Sequence, residues 1–161
     1  MNREPLLAPR TEMSGVLPTA SASYGLVVLG IELAIATLLG VGWLLVRLGH
    51  VRAHRAIQSS MVLVNIPVVL VAMVPYYLQN VAPGLPGALG QEFYLFPTLM
   101  LVAGGVAEAL GIYILLVAGT SLVPERFRFR RYKLVMRTEL GLWWAVVLVG
   151  IATYYVWWVQ P

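Results

Sequence analysis

Glu32 and Glu108 each stand inside a long apolar block, and their type and position suit them to chemistry. An ionisable group at such depth costs a few kcal/mol, so by default it faces the interior of a helix bundle and marks a functional position. Glu32 precedes Arg47 by 15 residues and Glu108 precedes Arg126 by 18, which puts both near mid-bilayer. No lysine or arginine lies at that depth, so both are expected as neutral carboxylic acids. One reading makes them a proton relay or a cation-coupling pair. A second makes them hydrogen-bond links between helices, with Asn65, Thr37 or Tyr113 as partner. In a third, one of them faces a neighbouring subunit.

His50 and His54, at i and i+4, share one helical face if the second helix starts early. They are weak metal candidates. Two histidines one turn apart cannot be the opposed axial ligands of one haem, and copper or zinc would need a third ligand, for which only Glu125 or Glu139 is near. The plain alternative is a basic cluster facing lipid headgroups. Glu139, close to Arg137, is expected to form a local ion pair. The chain has no cysteine, which excludes disulfides, thiolate metal sites and thiol catalysis. It also has no aspartate pair, no Ser–His arrangement within the apolar blocks and no lysine there to carry a retinal.

These residues need elements to hold them, and composition names the class. The 161 residues are 60% hydrophobic and 11% charged, with a mean hydropathy of +0.81. Soluble domains carry about a quarter charged residues, so a soluble enzyme, a nucleic-acid module and a disordered tail are excluded. Four blocks reach the roughly 20 residues that a membrane-crossing helix needs: 24–46, 58–79, 98–122 and 134–158. The expected fold is an all-α integral membrane protein, a four-transmembrane-helix bundle. Its parts are an extended extracytoplasmic tail (1–23), a first hairpin (24–79), an outer loop with an interfacial segment (80–97) and a second hairpin (98–158). Gly30, Gly104, Gly105 and the other Ala/Gly positions of the third span suit close helix contacts.

Charge orients the bundle. Arg47, Arg52 and Arg55 flank the first loop, and Arg126, Arg128, Arg130, Arg131, Lys133 and Arg137 flank the third. The positive-inside rule puts both loops in the cytoplasm and both termini outside, in a bacterial cytoplasmic membrane. Tyr24, Tyr76, Tyr77, Phe93, Tyr94, Tyr154, Tyr155, Trp157 and Trp158 form an outer aromatic belt. Arg52, Arg55, Arg126, Arg128, Arg130, Arg131 and Lys133 are the expected docking groups for anionic inner-leaflet lipid or an acidic partner; nucleic acid is not an expected partner.

The chain also matches itself. At an offset of 78, Val68-Val69-Leu70-Val71 falls on Val146-Val147-Leu148-Val149 and Tyr76-Tyr77 on Tyr154-Tyr155; at 76, Glu32 falls on Glu108. A parallel two-hairpin repeat about an axis along the membrane normal is expected, with the two glutamates at similar heights.

From His54 to Trp158 the chain resembles the four-helix bacterial membrane family called domain of unknown function 420. The matching pieces are Ala53-His54-Arg55, Tyr94-Leu95-Phe96, Tyr132-Lys133-Leu134-Val135-Met136-Arg137, Leu142-Trp143, Gly150 and Tyr154-Tyr155. The resemblance implies association with haem–copper oxidases and their maturation. The family's histidine before the last span falls on Tyr132, the one within the third span is missing near Glu108, and only His54 survives of that set. Metal or haem handling that needs those histidines is therefore not expected.

The first functional expectation is a non-catalytic accessory or assembly subunit of a larger respiratory or photosynthetic electron-transport complex. The alternative is a proton-coupled transporter or proton-transfer protein using Glu32 and Glu108. A third reading is a haem- or quinone-binding membrane protein, and no enzyme activity is expected.

Overall fold

A helix satisfies every backbone group within its own segment, and this makes it the stable form for long apolar runs in lipid. The computed structural model describes residues 22–129 and 131–160. Arg130 and nearly all of the tail expected at 1–23 lie outside them. Among the described residues, four helical segments are long and apolar enough to cross a membrane: Ala22–Arg47, Val51–Gly84, Glu92–Gly119 and Tyr132–Val159. The elements are α1 (Ala22–Arg47), α2 (Val51–Pro67), α3 (Val74–Asn80), the single turn α4 (Leu85–Ala88), α5 (Glu92–Gly119) and α6 (Tyr132–Tyr154).

The helices run past the apolar blocks. α2 takes in Arg52 and Arg55, and α5 takes in residues 93–97, expected as an interfacial segment of the loop. Hydropathy marks the lipid-facing length, whereas backbone hydrogen bonding carries a helix through the polar turn beyond it.

Pro67 interrupts the second span. It has no N–H to give to the carbonyl four residues earlier, and the chain passes through a wider π-helical stretch, Val68–Met73, before α3. Pro97 has the same effect in α5, where it leaves the Phe93 carbonyl without its helical donor. Trp157 fills that vacancy, donating Nε1–H to Phe93 O at 3.0 Å. The indole thus ties the end of the fourth span to the start of the third.

The turn between α1 and α2 closes on Gly49, whose φ of +86° is open to glycine at little cost. His50 N–H donates to Leu45 O at 2.9 Å and Gly49 N–H to Val46 O at 3.2 Å, the two bonds of a Schellman cap. α1 packs on α2 and α6, α5 on α6 and α2, which closes a ring with α1 and α5 on one diagonal. Ile35, Leu39, Ala107, Trp143 and Val146 form the apolar core between α1, α5 and α6.

One end of the ring is aromatic. Tyr24 stacks on Tyr76 at 6.3 Å between centroids, Tyr76 meets Trp157 at 5.2 Å, and Trp157 meets Phe93 at 5.3 Å. The basic residues gather at the other end.

The small-residue contacts meet expectation in the third span at Gly111 but not at Gly30, Gly104 or Gly105. A Cβ on Gly30 or Gly105 would meet nothing within 4 Å, and one on Gly104 would meet only Val146 at 3.6 Å. A Cβ would come close at Gly25, 2.6 Å from Trp158 Cη2, at Gly84, against the Tyr94 ring, at Gly42, 3.1 Å from Gln58 Nε2, and at Gly111, 3.0 Å from Glu139 Oε1 and 3.1 Å from Val62 Cγ2. Which glycine meets a neighbour depends on the rotation of each helix, and a glycine count cannot supply that.

Candidate functional site

Four spans each contribute a buried polar side chain: Glu32 from α1, Asn65 from α2, Glu108 from α5 and Glu139 from α6. Each lies on its helix's inward stripe. Glu32 shares a face with Ile35, Ala36 and Leu39; Glu108 with Gly111; Glu139 with Trp143 and Val146. The spacings of three, four and seven residues are those of one helical face, so the packing that buries the apolar core also carries these carboxyls inward.

Asn65 Nδ2 donates to Glu108 Oε2 at 2.9 Å across α2 and α5. Glu108 is also the electrostatic neighbour of both Glu32 and Glu139. Of the three partners expected for the glutamates, Asn65 alone takes the role. Thr37 is exposed and donates back to Leu33 O at 2.7 Å, and Tyr113 donates to the Phe127 carbonyl at the basic end.

The expected Glu139–Arg137 ion pair does not form. Glu139 is 7% exposed, while Arg137 points outward. Two residues along a helix turn about 200°, so sequence neighbours at this spacing occupy opposite faces. Glu139 belongs to the buried cluster instead.

Hydrogen bonding in the cluster is incomplete. Glu32 Oε1, Glu108 Oε1 and Asn65 Oδ1 are buried without a hydrogen-bond partner. A polar atom buried in this way costs about 1–3 kcal/mol. A cluster serving only to hold helices together would gain by pairing them.

Cavities lie on either side of Glu108. Towards the aromatic end, a cavity of about 230 Å³ is lined from all four spans and reaches Glu32, Gly104 and Gly105, with Tyr76, Trp157 and Trp158 also in its wall. Towards the basic end, a smaller cavity of about 40 Å³ is bounded by His54, Gln58, Gly111, Glu139 and Trp143. A water needs roughly 10–15 Å³ by this kind of measure and two or more polar partners; the smaller cavity supplies both. The ionisable and polar groups therefore form a broken column through the bundle: His54, Glu139, Glu108 with Asn65, then Glu32.

The histidines do not converge. His50 is exposed ahead of α2, whereas His54 is buried and donates Nδ1–H to Gly42 O at 2.9 Å. That bond leaves His54 Nε2 as the group turned to other uses. No three His, Cys, Asp or Glu residues among those described gather in a way that could hold a metal ion.

At the basic end, Arg52, Arg55, Arg126, Arg131 and Lys133 are exposed. Arg128 is exposed too, but its guanidinium donates to Val123 O at 3.2 Å and Thr120 O at 3.3 Å, which closes the end of α5. Its neighbour Phe129 sits edge-on between Tyr113 and Tyr132. Part of this arginine–phenylalanine alternation thus builds the loop itself.

The chain matches no protein-family model, no curated protein and no solved structure. The likeness to the domain of unknown function 420 rests on its short motifs alone.

The Asn65–Glu108 contact gives a first expectation. Asn65→Leu removes the donor to Glu108 Oε2 and should destabilise the protein by about 1–3 kcal/mol. In a Glu108→Leu background the same change should cost less, with a coupling of about 0.6 kcal/mol and at most about 1.7 kcal/mol, the average and upper values for hydrogen bonds between membrane helices. Thermal unfolding of the four proteins of this double-mutant cycle in detergent measures it.

Proposed function

We propose that this chain is a proton-transfer protein of a bacterial cytoplasmic membrane, with Glu108 passing protons between Glu32 and Glu139. The observation that carries the reading is the set of unpaired oxygens at the middle of the bundle, Glu32 Oε1, Glu108 Oε1 and Asn65 Oδ1. A carboxyl with a free oxygen beside another carboxyl can hand over a proton without unmaking a hydrogen bond. Asn65 holds Glu108 by its other oxygen and keeps the free one available.

Further support comes from the two cavities, which bring room for ligand or water to the cluster from both ends. In this reading the basic end faces the cytoplasm and the aromatic end faces outward. His54 Nε2 and Glu139 are the cytoplasmic entry, and Glu32 opens on the outer cavity. The match of Glu32 to Glu108 at offset 76 fits a duplicated hairpin that doubled one carboxyl into a pair.

Infrared titration of the purified protein in lipid tests the exchange itself. The carboxylic acid stretching band should fade reversibly as pH rises, and Glu32→Gln and Glu108→Gln should each remove part of it. A band that ignores pH, or that neither variant alters, contradicts the reading.

A second reading is an accessory subunit of a larger electron-transport complex, in line with the motif resemblance. Arg52, Arg55, Arg126, Arg131 and Lys133, all exposed at one end, favour it as a docking surface for an acidic partner or anionic lipid. Mild extraction decides it: a larger membrane complex should copurify, and a protein extracted alone as monomer or homodimer removes this reading.

A further inference from the structure

The larger cavity has a composition that selects its occupant. We propose that it binds a lipophilic organic cation, with the positive charge against Glu32 and the apolar body among Val28, Val69 and Met100. The proposal rests on Glu32 being an exchangeable carboxyl and names what exchanges with its proton.

Three observations converge. The first is size: an engineered cavity of roughly 150 Å³ takes up benzene, so about 230 Å³ admits one ring bearing a compact cationic group. The second is the polar inventory. Glu32 is 7% exposed, lines the cavity, and leaves Oε1 without a partner. Among the described residues no lysine, arginine or histidine lines the cavity, so an anion would find no counter-charge among them, and a neutral apolar ligand would leave the carboxyl unmatched. The third is the aromatic wall. Tyr24, Tyr76, Trp157 and Trp158 line the cavity, and aromatic ring faces attract ammonium groups about as far as 6 Å from the ring centre.

Occupancy balances charge simply. The cation enters, Glu32 gives up its proton, and a carboxylate–cation pair replaces the neutral acid. The proton leaves by way of Glu108 or to the outer side. The other titratable groups lining this space are Tyr24 from α1, Tyr76 and Tyr77 from the second span, and Tyr154 from α6, with Glu108 of α5 as the electrostatic neighbour of Glu32. None of the tyrosines brings a positive charge that would oppose the ligand.

Calorimetric titration of the full chain in lipid nanodiscs tests this with benzyltrimethylammonium and its uncharged carbon isostere, neopentylbenzene. The cation should bind at least about tenfold more tightly than the isostere, and its affinity should rise with pH by up to about tenfold per unit, as one linked proton requires. Glu32→Gln should abolish both the preference and the pH dependence. Gly105→Leu, which puts a side chain into the cavity from a position where a Cβ meets nothing within 4 Å, should weaken both ligands even if Glu32→Gln fails to fold. Equal binding of cation and isostere, or a Glu32→Gln protein that keeps the cation preference, overturns the proposal. Cation binding that needs Glu32 but ignores pH upholds the site and removes proton exchange. Proton transfer without any cation preference removes the site and leaves the proton-transfer reading standing.

Discussion

Gly111→Leu is expected to lower the thermal unfolding midpoint of the detergent-solubilised protein sharply, while Gly30→Leu leaves it nearly unchanged. Both are glycines inside apolar helices, so helix propensity alone gives them similar effects. Their surroundings differ. A Cβ at Gly111 would stand 3.0 Å from Glu139 Oε1 and 3.1 Å from Val62 Cγ2, where α5 meets both α2 and α6, whereas one at Gly30 meets nothing within 4 Å. A leucine at 111 must push apart helices on two sides, and overpacking of this kind costs about 1–3 kcal/mol. It would also move the Glu139 carboxyl from its place beside α5, so proton transfer should fall along with stability. Circular dichroism melts of the two variants check the contrast; equal midpoints would mean that α5 does not approach its neighbours at Gly111.

The second large effect is an ordering. Glu108→Gln should slow proton transfer more than Glu32→Gln or Glu139→Gln, by about 100-fold or more, the usual weight of a positioned acid–base group. Glu108 is the common neighbour of the other two, so its loss opens a gap that neither end can bridge. Loss of Glu32 or Glu139 leaves a carboxyl in the middle that water from the adjoining cavity can still serve. Glutamine preserves shape and hydrogen bonding to Asn65, so melting points should change little. Transfer rates of the three single variants in vesicles measure the order, and a Glu139→Gln rate as low as that of Glu108→Gln would displace Glu108 from the centre.

The four spans and the two central glutamates were legible from one dimension. Twenty-residue apolar blocks leave a bilayer chain few alternatives to helices, and a lone carboxyl inside such a block is conspicuous. Asn65 stood out for the same reason and proved to be the partner of Glu108. Glu139 was misread because its sequence neighbour Arg137 offered a ready ion pair, and sequence proximity overrode rotation. The signal was present in the i, i+4, i+7 stripe of Glu139, Trp143 and Val146, which faces the core while Arg137 faces away.

His54 illustrates the opposite limit. Its burial depends on the Gly42 carbonyl twelve residues earlier, on a different helix, and the i, i+4 relation to His50 suggested a shared face instead. The cavity was beyond reach as well, since it opens where helices fail to fill space. The proline breaks are readable as Pro67 and Pro97, but the π-helical detour at Val68–Met73 and the Trp157–Phe93 bond settle only when four spans pack together.

The central claim is that the buried carboxyls move protons across the membrane, and one measurement addresses it most directly. Purified protein in sealed vesicles, with an imposed pH gradient and potassium-clamped potential, should dissipate that gradient faster than protein-free vesicles, and the Glu32→Gln, Glu108→Gln double variant should return it to the protein-free rate. A double variant that dissipates the gradient as fast as the native chain, or a native chain no faster than lipid alone, would contradict the account.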